Sequence, residues 1–193
     1  MKSILKQILF IIAAVIALPF TLSFSLLSFI LPQDTLLASI SQCLSLIPTK
    51  LGNYIRAGFY RFVLTKCSPD AVVSFLVLLS QQDTEIGAGV YIGPQCNIGK
   101  CKIGPNTLLG SGVHIMSGKE QHNFDDVNSP IKNQGGNFEK ISIGMNSWIG
   151  NGAMIMANIG EGCVIGAGSV VINDIPDFAI VAGNPAKVIR IRT

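Results

Sequence analysis

The chain contains two histidines, His114 and His122, in very different company. His122 falls in the stretch MSGKEQHNFDDVNSPIKNQGGNFEK (116–140), which also holds Asp125, Asp126 and Glu139. An imidazole changes charge near neutral pH, so it can take the proton from an alcohol or amine as that group attacks a carbonyl carbon. A carboxylate beside the ring orients it and stabilises its charged form. These residue types suit acid–base chemistry, and His122, Asp125, Asp126 and Glu139 are the candidates the stretch offers. His114 stands between Val113 and Ile115, and strand alternation turns it outward from a flat face. There it serves as a surface residue, a subunit contact or a second site residue.

The same inventory excludes other chemistry. Two histidines cannot supply the three-histidine zinc site of a hydratase, and no metal is expected. The five cysteines (Cys43, Cys67, Cys96, Cys101, Cys163) include no CxxC pair and read as free, largely buried thiols of a reducing compartment. No cysteine or serine has a nucleophile's setting, so direct transfer is expected rather than a covalent enzyme intermediate. The net charge of +3 comes with no basic run interleaved with aromatics, so no nucleic-acid partner is expected.

A repeat must position these groups. Ile86, Ile92, Ile98, Ile103, Leu109 and Ile115 follow one another at intervals of six, six, five, six and six. After the histidine-bearing stretch, Ile143, Ile149, Ile155, Ile159, Ile165 and Val171 do so at six, six, four, six and six. A sustained six-residue period marks a hexapeptide β-helix, a triangular coil whose aliphatic residues point inward and stack on their equivalents. Residues two places earlier (Val90, Cys96, Val113, Ala153, Cys163) are small or medium, as a cramped interior requires. The glycine that commonly follows the aliphatic is expected to supply the corner's backbone conformation. The short steps at 100–102 and 156–158 are expected to be tightened corners. The break at 116–140 is a long excursion from a compact coil, and such loops usually carry function.

Ahead of the repeat lies an apolar segment. Residues 8–31 include no charge, enough to span a bilayer as a helix. The run exceeds a signal peptide's core and no small-x-small cleavage site follows, which favours a membrane anchor. Pro19 near its middle, with basic residues on both flanks (Lys2 and Lys6; Lys50, Arg56, Arg61 and Lys66), favours a re-entrant hairpin over a single span. Two further stretches, 35–47 and 51–64, mix apolar and polar residues; the second fits an interfacial helix or one packed on the following domain. The expected organisation is an anchor at 1–33, an amphipathic helical region at 34–81, a β-helix at 82–173 with its active-site loop at 116–140, and a cap at 174–193.

Four segments carry a resemblance: GVHI (112–115) with the loop after it, ISIGMNSWIGNGAMIM (141–156), VIGAGSVV (164–171) and DIPDFAIVAGNPAKVIR (174–190). Together they resemble the xenobiotic, galactoside and maltose acetyltransferase branch of the hexapeptide acyltransferases, most closely the relatives that decorate bacterial exopolysaccharides. The resemblance covers 82–193, and Trp148-Ile149-Gly150 and Ala182-Gly183-Asn184-Pro185-Ala186 are its most specific parts. It implies an all-β left-handed parallel β-helix, here joined to an amino-terminal α-helical membrane-associated region. It matches the family's loop base to His122, although Gln121-His122-Asn123 replaces the Thr-His-Pro of the maltose enzymes and the loop is longer.

For acetyl-coenzyme A the resemblance implies Trp148, Gly150, Asn151 and Ala153 along the pantetheine arm, Gly166 and Ala167 further on, and Lys187, Arg190 and Arg192 near the phosphates. It implies a homotrimer with each site shared by two subunits. The implied activity is acetyl transfer to a sugar hydroxyl, with a lipid-linked saccharide as acceptor in surface polysaccharide synthesis. The implied place is the cytoplasmic face of the bacterial inner membrane, with membrane lipid as a partner. A serine or amino-sugar N-acetyltransferase and a non-catalytic β-helix scaffold at the membrane are the alternatives.

Overall fold

The computed structural model describes residues 2–193, without the side chains of residues 2, 3, 5 and 6. The side chains of Lys2 and Lys6, the expected basic flank, are therefore not among those described. Three helices precede the repeat: α1 (Lys2–Leu27), α2 (Gln33–Ser45) and α3 (Thr49–Val63). From Lys66 onward the chain coils through short strands that stack into three parallel faces of a prism.

The first face is built from Lys66–Cys67, Glu85–Ile86, Cys101–Ile103 and Ile141–Ile143. The second stacks Val72–Val73, Tyr91–Ile92, Leu108–Leu109, Trp148–Ile149, Val164–Ile165 and Ala179–Gly183. Ala186–Ile191 then returns antiparallel along its edge. The third stacks Leu78–Leu79, Asn97–Ile98, His114–Ile115, Met154–Ile155 and Val170–Val171. In each column the later residue of the strand pair is buried: Ile86, Ile103 and Ile143; Ile92, Leu109 and Ile149; Ile98, Ile115 and Ile155. This is the inward aliphatic stack that the six-residue period implies, and the small residues two places earlier share the interior.

Two expectations need correction. The β-helix begins about one coil earlier than 82, because Cys67, Val73 and Leu79 already form a complete coil. Serine follows each of them instead of glycine, so the aliphatic-glycine signal starts one coil late. The glycines after the aliphatic residues also serve a different purpose. A Cβ on Gly93 would sit 2.7 Å from the backbone carbon of Gly110 in the next coil, so glycine there permits close stacking. The left-handed backbone falls just before the small inward residue instead, as at Gly112 (φ +66°), where a Cβ would meet open space.

Every irregularity in coil length occurs at one corner. The steps from first to second face and from second to third are six residues throughout. The step from third to first face varies: Leu79 to Ile86 is seven, Ile98 to Ile103 is five, and Ile155 to Ile159 is four. The excursion at 116–140 leaves from that same corner, between Ile115 and Ile141.

Helices α2 and α3 close the open end of the prism, α3 against the first-coil strands of the first and second faces and α2 against that of the third. Arg56 locks this cap. Fully buried, it donates to the carbonyls of Leu44 (2.8 Å), Ile47 (2.8 Å) and Val73 (2.9 Å) and to Asn53 Oδ1 (2.9 Å), joining α2, α3 and the first coil. Beside it, the buried Tyr60 hydroxyl pairs with Ser41 Oγ, which also accepts the Leu79 amide. Helix α1 packs outside α3, with Phe10 near Tyr54 and Phe24 edge-on to Phe59, and it runs unbroken through Pro19. The expected hairpin turn at Pro19 is thus absent. One lost backbone bond does not break a helix laid along a neighbour.

A polar cluster on the first face fixes the exit of the long loop. Lys140 Nζ donates to Asp83 Oδ1 (2.6 Å) and Glu85 Oε1 (2.8 Å), and Lys100 joins Asp83 at 3.5 Å. The bonds from Lys140 hold both carboxyls below their ordinary range. Burial alone would lower the Lys140 amine, but its two acidic partners outweigh that and raise it.

Two outcomes follow from these contacts. Arg56→Met takes a charged donor from three carbonyls, of which Leu44 keeps backbone partners, and is expected to cost about 2–4 kcal/mol in chemical denaturation, with Arg56→Lys recovering only part. Because the folded carboxyls titrate below their unfolded values, the cluster stabilises the fold above about pH 4 and is lost as pH falls through the depressed values. Lys140→Met should therefore flatten the acid limb of stability against pH while costing roughly 0.5–1 kcal/mol at neutrality, a small figure because Asp83 is nearly half exposed.

Candidate active site

The loop at 116–140 is held by pairing between its two limbs. The Glu139 amide donates to the Ser117 carbonyl (3.0 Å), the Asn137 amide to that of Glu120 (2.7 Å) and the Asn123 amide to that of Gly135 (3.0 Å). Asn123 Nδ2 adds a bond to the Gln134 carbonyl (3.0 Å), and Gln134 Nε2 reaches back to the carbonyls of Asp126 (2.8 Å) and Ser129 (2.9 Å). Gly136 lies against the peptide joining Gln121 and His122, where an added Cβ would meet the Gln121 carbonyl and come within 2.8 Å of the His122 nitrogen. No side chain fits directly behind His122. The loop is a built platform.

His122 sits on this platform, exposed, in an open crevice of about 490 Å³ lined with Lys119, Glu120, Asn123, Phe124 and Asp125. Asp125 lines the same crevice. Asp126 is turned to its own loop: it accepts from Ser129 Oγ (2.6 Å) and the Asn128 amide (2.9 Å), and these bonds lower its carboxyl below the ordinary range. Glu139 accepts from Asn137 Nδ2 (3.4 Å) at the base of the loop. His114 is half-buried on the third face, between Asn97 and Met154 in register. It lines a second groove of about 400 Å³ with Met116, Met154, Met156 and two residues of the loop, Gln121 and Phe138. The loop therefore leans over the third face.

The residues expected along a cofactor lie elsewhere. Trp148 is 55% exposed on the second face, the face opposite the corner from which the loop departs. Asn151 is exposed at the following corner and accepts the Ser111 amide on Oδ1 (3.1 Å). Ala167 is exposed, and Lys187 and Arg190 are exposed on the final strand. Gly150 and Gly166 are closed in by the next coil, a Cβ on either falling within 2.8 Å of Ala167 or Ala182. Ala153 differs from the rest. Its side chain is fully buried, and its carbonyl accepts the His114 amide (2.9 Å), so it serves the coil's interior. Arg192 Nη1 is tied to the Gly162 carbonyl (2.6 Å).

The cysteines offer no nucleophile at this site. Cys67, Cys96, Cys101 and Cys163 are buried, and burial pushes the first three up to about 12, 11 and 12. Among the described residues no group of three or more His, Cys, Asp or Glu side chains is placed to hold a metal ion. A single subunit thus presents an exposed imidazole on the loop that leaves the corner between third and first faces, and an exposed tryptophan on the second face, opposite that corner.

Comparison with known proteins agrees with this architecture. The family model described as "Bacterial transferase hexapeptide (six repeats)" matches residues 83–117. A Staphylococcus aureus (strain COL) protein bearing an acetyltransferase name is 35% identical over 158 residues, which cover 70% of this chain and 78% of that protein. Two other curated relatives are spanned over only 30% and 54% of their lengths. Among solved structures, a maltose O-acetyltransferase from Clostridium difficile 630 superposes with a TM-score of 0.70 at 24% identity, covering 84% of this chain and 89% of that one. A Bacillus cereus N-acyltransferase in complex with coenzyme A and an amino-sugar nucleotide does so with a TM-score of 0.55 at 19% identity, covering 64% and 70%. From the extent of the Staphylococcus match and the coil it runs along, the chain belongs to the hexapeptide-repeat acetyltransferase family.

Proposed function

We propose that this protein is an O-acetyltransferase that moves the acetyl group of acetyl-coenzyme A to a sugar hydroxyl, with His122 as general base. The observation that carries this reading is the loop itself: a platform braced by paired limbs and closed behind by Gly136 presents one imidazole in an open crevice that Asp125 also lines. His122 takes the hydroxyl proton as the oxygen attacks the thioester carbonyl. The tetrahedral adduct then expels the coenzyme A thiolate, which takes the proton back from the imidazolium. Asp125 stabilises the ring while it is charged. Burial of the four interior thiols favours this direct transfer over an acyl-cysteine.

The working unit in this reading is a homotrimer of left-handed coils. Its support is the difference among the three faces. Outward residues of the second face are Val72, Tyr91, Leu108, Trp148, Val164 and Ile180, an apolar column, and the third face carries Leu78, Asn97, His114, Met154 and Val170. The first face carries Lys66, Glu85, Lys102 and Ser142 and suits solvent. A second-to-third contact is heterologous and closes into a ring. It sets Trp148 and the coenzyme course of one subunit against the His122 loop of the next, with Lys187 and Arg190 available to phosphates. The acceptor is a saccharide, lipid-linked in surface polysaccharide synthesis, and the site of action is the cytoplasmic face of the bacterial inner membrane, where acetyl-coenzyme A is at hand.

Coenzyme A release with saccharide acceptors, followed by product analysis, tests this. His122→Ala is expected to lower kcat by about 10²–10⁴-fold with trimer mass unchanged, and the product should be an ester that mild base cleaves. A base-stable amide would shift the reading to N-acetylation. Undiminished turnover in His122→Ala would remove His122 from the chemistry and direct attention to His114.

A further inference from the structure

Helix α1 is apolar on every side, yet only one side is covered. Its inner stripe, including Phe10, Ala13, Ala17 and Phe24, packs on the cap, and Gly58 of α3 approaches so closely that a Cβ there would fall 2.7 Å from the Ala13 carbonyl oxygen. The opposite stripe, including Ile8, Val15 and Leu22, is exposed, and only 17% of the apolar stretch Gln7–Leu27 is buried. A helix apolar all round needs apolar surroundings on all sides. The chain beyond it prolongs the bare surface, with Phe29 87% and Ile30 80% exposed. Cations of α3 flank the helix near Phe10: Lys50 and Arg61 are both exposed and line the clefts beside that ring, and Arg61 lies over the Phe62 ring at 4.9 Å. An aliphatic surface edged by cations is complementary to a leaflet containing anionic lipid.

The direction of the helix is also fixed. Helices α2 and α3 lie across the end of the prism, because their main strand contacts are with the three strands of the first coil. Helix α1 follows α3, from Phe10 at Tyr54 to Phe24 at Phe59, and so lies across that end as well, in the outermost layer. Standing α1 upright in a bilayer would draw α3, with Arg56 and Arg61, and the first coil toward the hydrocarbon.

We infer that α1 is an in-plane interfacial helix that docks on the lipid leaflet through its Ile8–Val15–Leu22 stripe, so that the prism stands upright on the membrane and the His122 loop is held in water above it. This rests on the membrane placement proposed above and replaces both a span and a hairpin with a monotopic footing. Three prisms sharing an axis parallel to their own would put three such helices at one end, in one plane.

Depth measurement tests the inference. In full-length protein carrying Cys43→Ser, spin labels are placed singly at Ile8→Cys, Val15→Cys, Leu22→Cys and, in the loop, Val127→Cys. The protein is bound to vesicles of phosphatidylethanolamine and phosphatidylglycerol. The three helix labels are expected at one depth, agreeing within about 3 Å, with the Val127 label in water. A spanning helix would separate neighbouring labels by roughly 10 Å, at 1.5 Å per residue over seven residues, and that result overturns the in-plane orientation while leaving membrane attachment intact. Helix labels that lie outside the lipid altogether, in water or shielded by a second copy of the protein, would overturn the membrane placement as well.

Discussion

Coil must lie on coil at the spacing of parallel strands, about 4.8 Å, and this constraint governs most of what the chain can do. From Ile86 onward it puts an aliphatic residue at the inward position of each strand, because each fills a layer between two others, with small residues packed beside them. It requires a hydrogen in place of a side chain where Gly93 faces Gly110 and where Gly150 faces Ala167. It also fixes two of the three corners at six-residue steps. Only the corner between third and first faces departs from that step, and the loop bearing His122 leaves there, where extra residues leave the stacking undisturbed.

The three faces then divide the work. The first is charged and bears the Lys140 cluster that anchors the loop's exit. The second is apolar and carries Trp148; the third carries His114 under the lip of the loop. In the proposed trimer the His122 loop of one subunit meets the second face of the next, so the exposed imidazole and the exposed Trp148 become the two halves of one site. At the far end, Arg56 meets three carbonyls with one planar cation, so that the helical cap and the first coil form one body.

Much of this was legible in the sequence, for physical reasons that also explain what was not. The alternation of Ile and Gly at six residues follows from stacking, so the coil from Ile86 onward and the loop at 116–140 could be read directly. The first coil escaped because Ser68, Ser74 and Ser80 stand where glycine was sought. Glycine's reason was misread as well: close approach explains Gly93, whereas left-handed backbone explains Gly112. Pro19 suggested a turn because local rules see only the lost hydrogen bond, and the packing of α1 on α3 overrides it. The histidine was legible by type, and the resemblance pointed to its role. Its support by Gly136 and Gln134 was not, since those contacts arise from pairing across the loop. The period marks Ala153 as an interior residue, and its side chain is fully buried.

The central claim is that one subunit supplies the imidazole and its neighbour the cofactor surface. Mixed trimers test this most directly. Subunits carrying His122→Ala are refolded or co-expressed with subunits carrying Trp148→Arg, each homotrimer being inactive. The account predicts that the mixture regains about a quarter of the wild-type rate, since one interface in four pairs an intact loop with an intact second face. A mixture as inactive as its parents, with mixed trimers present by mass, would place the whole site within one chain and contradict the account.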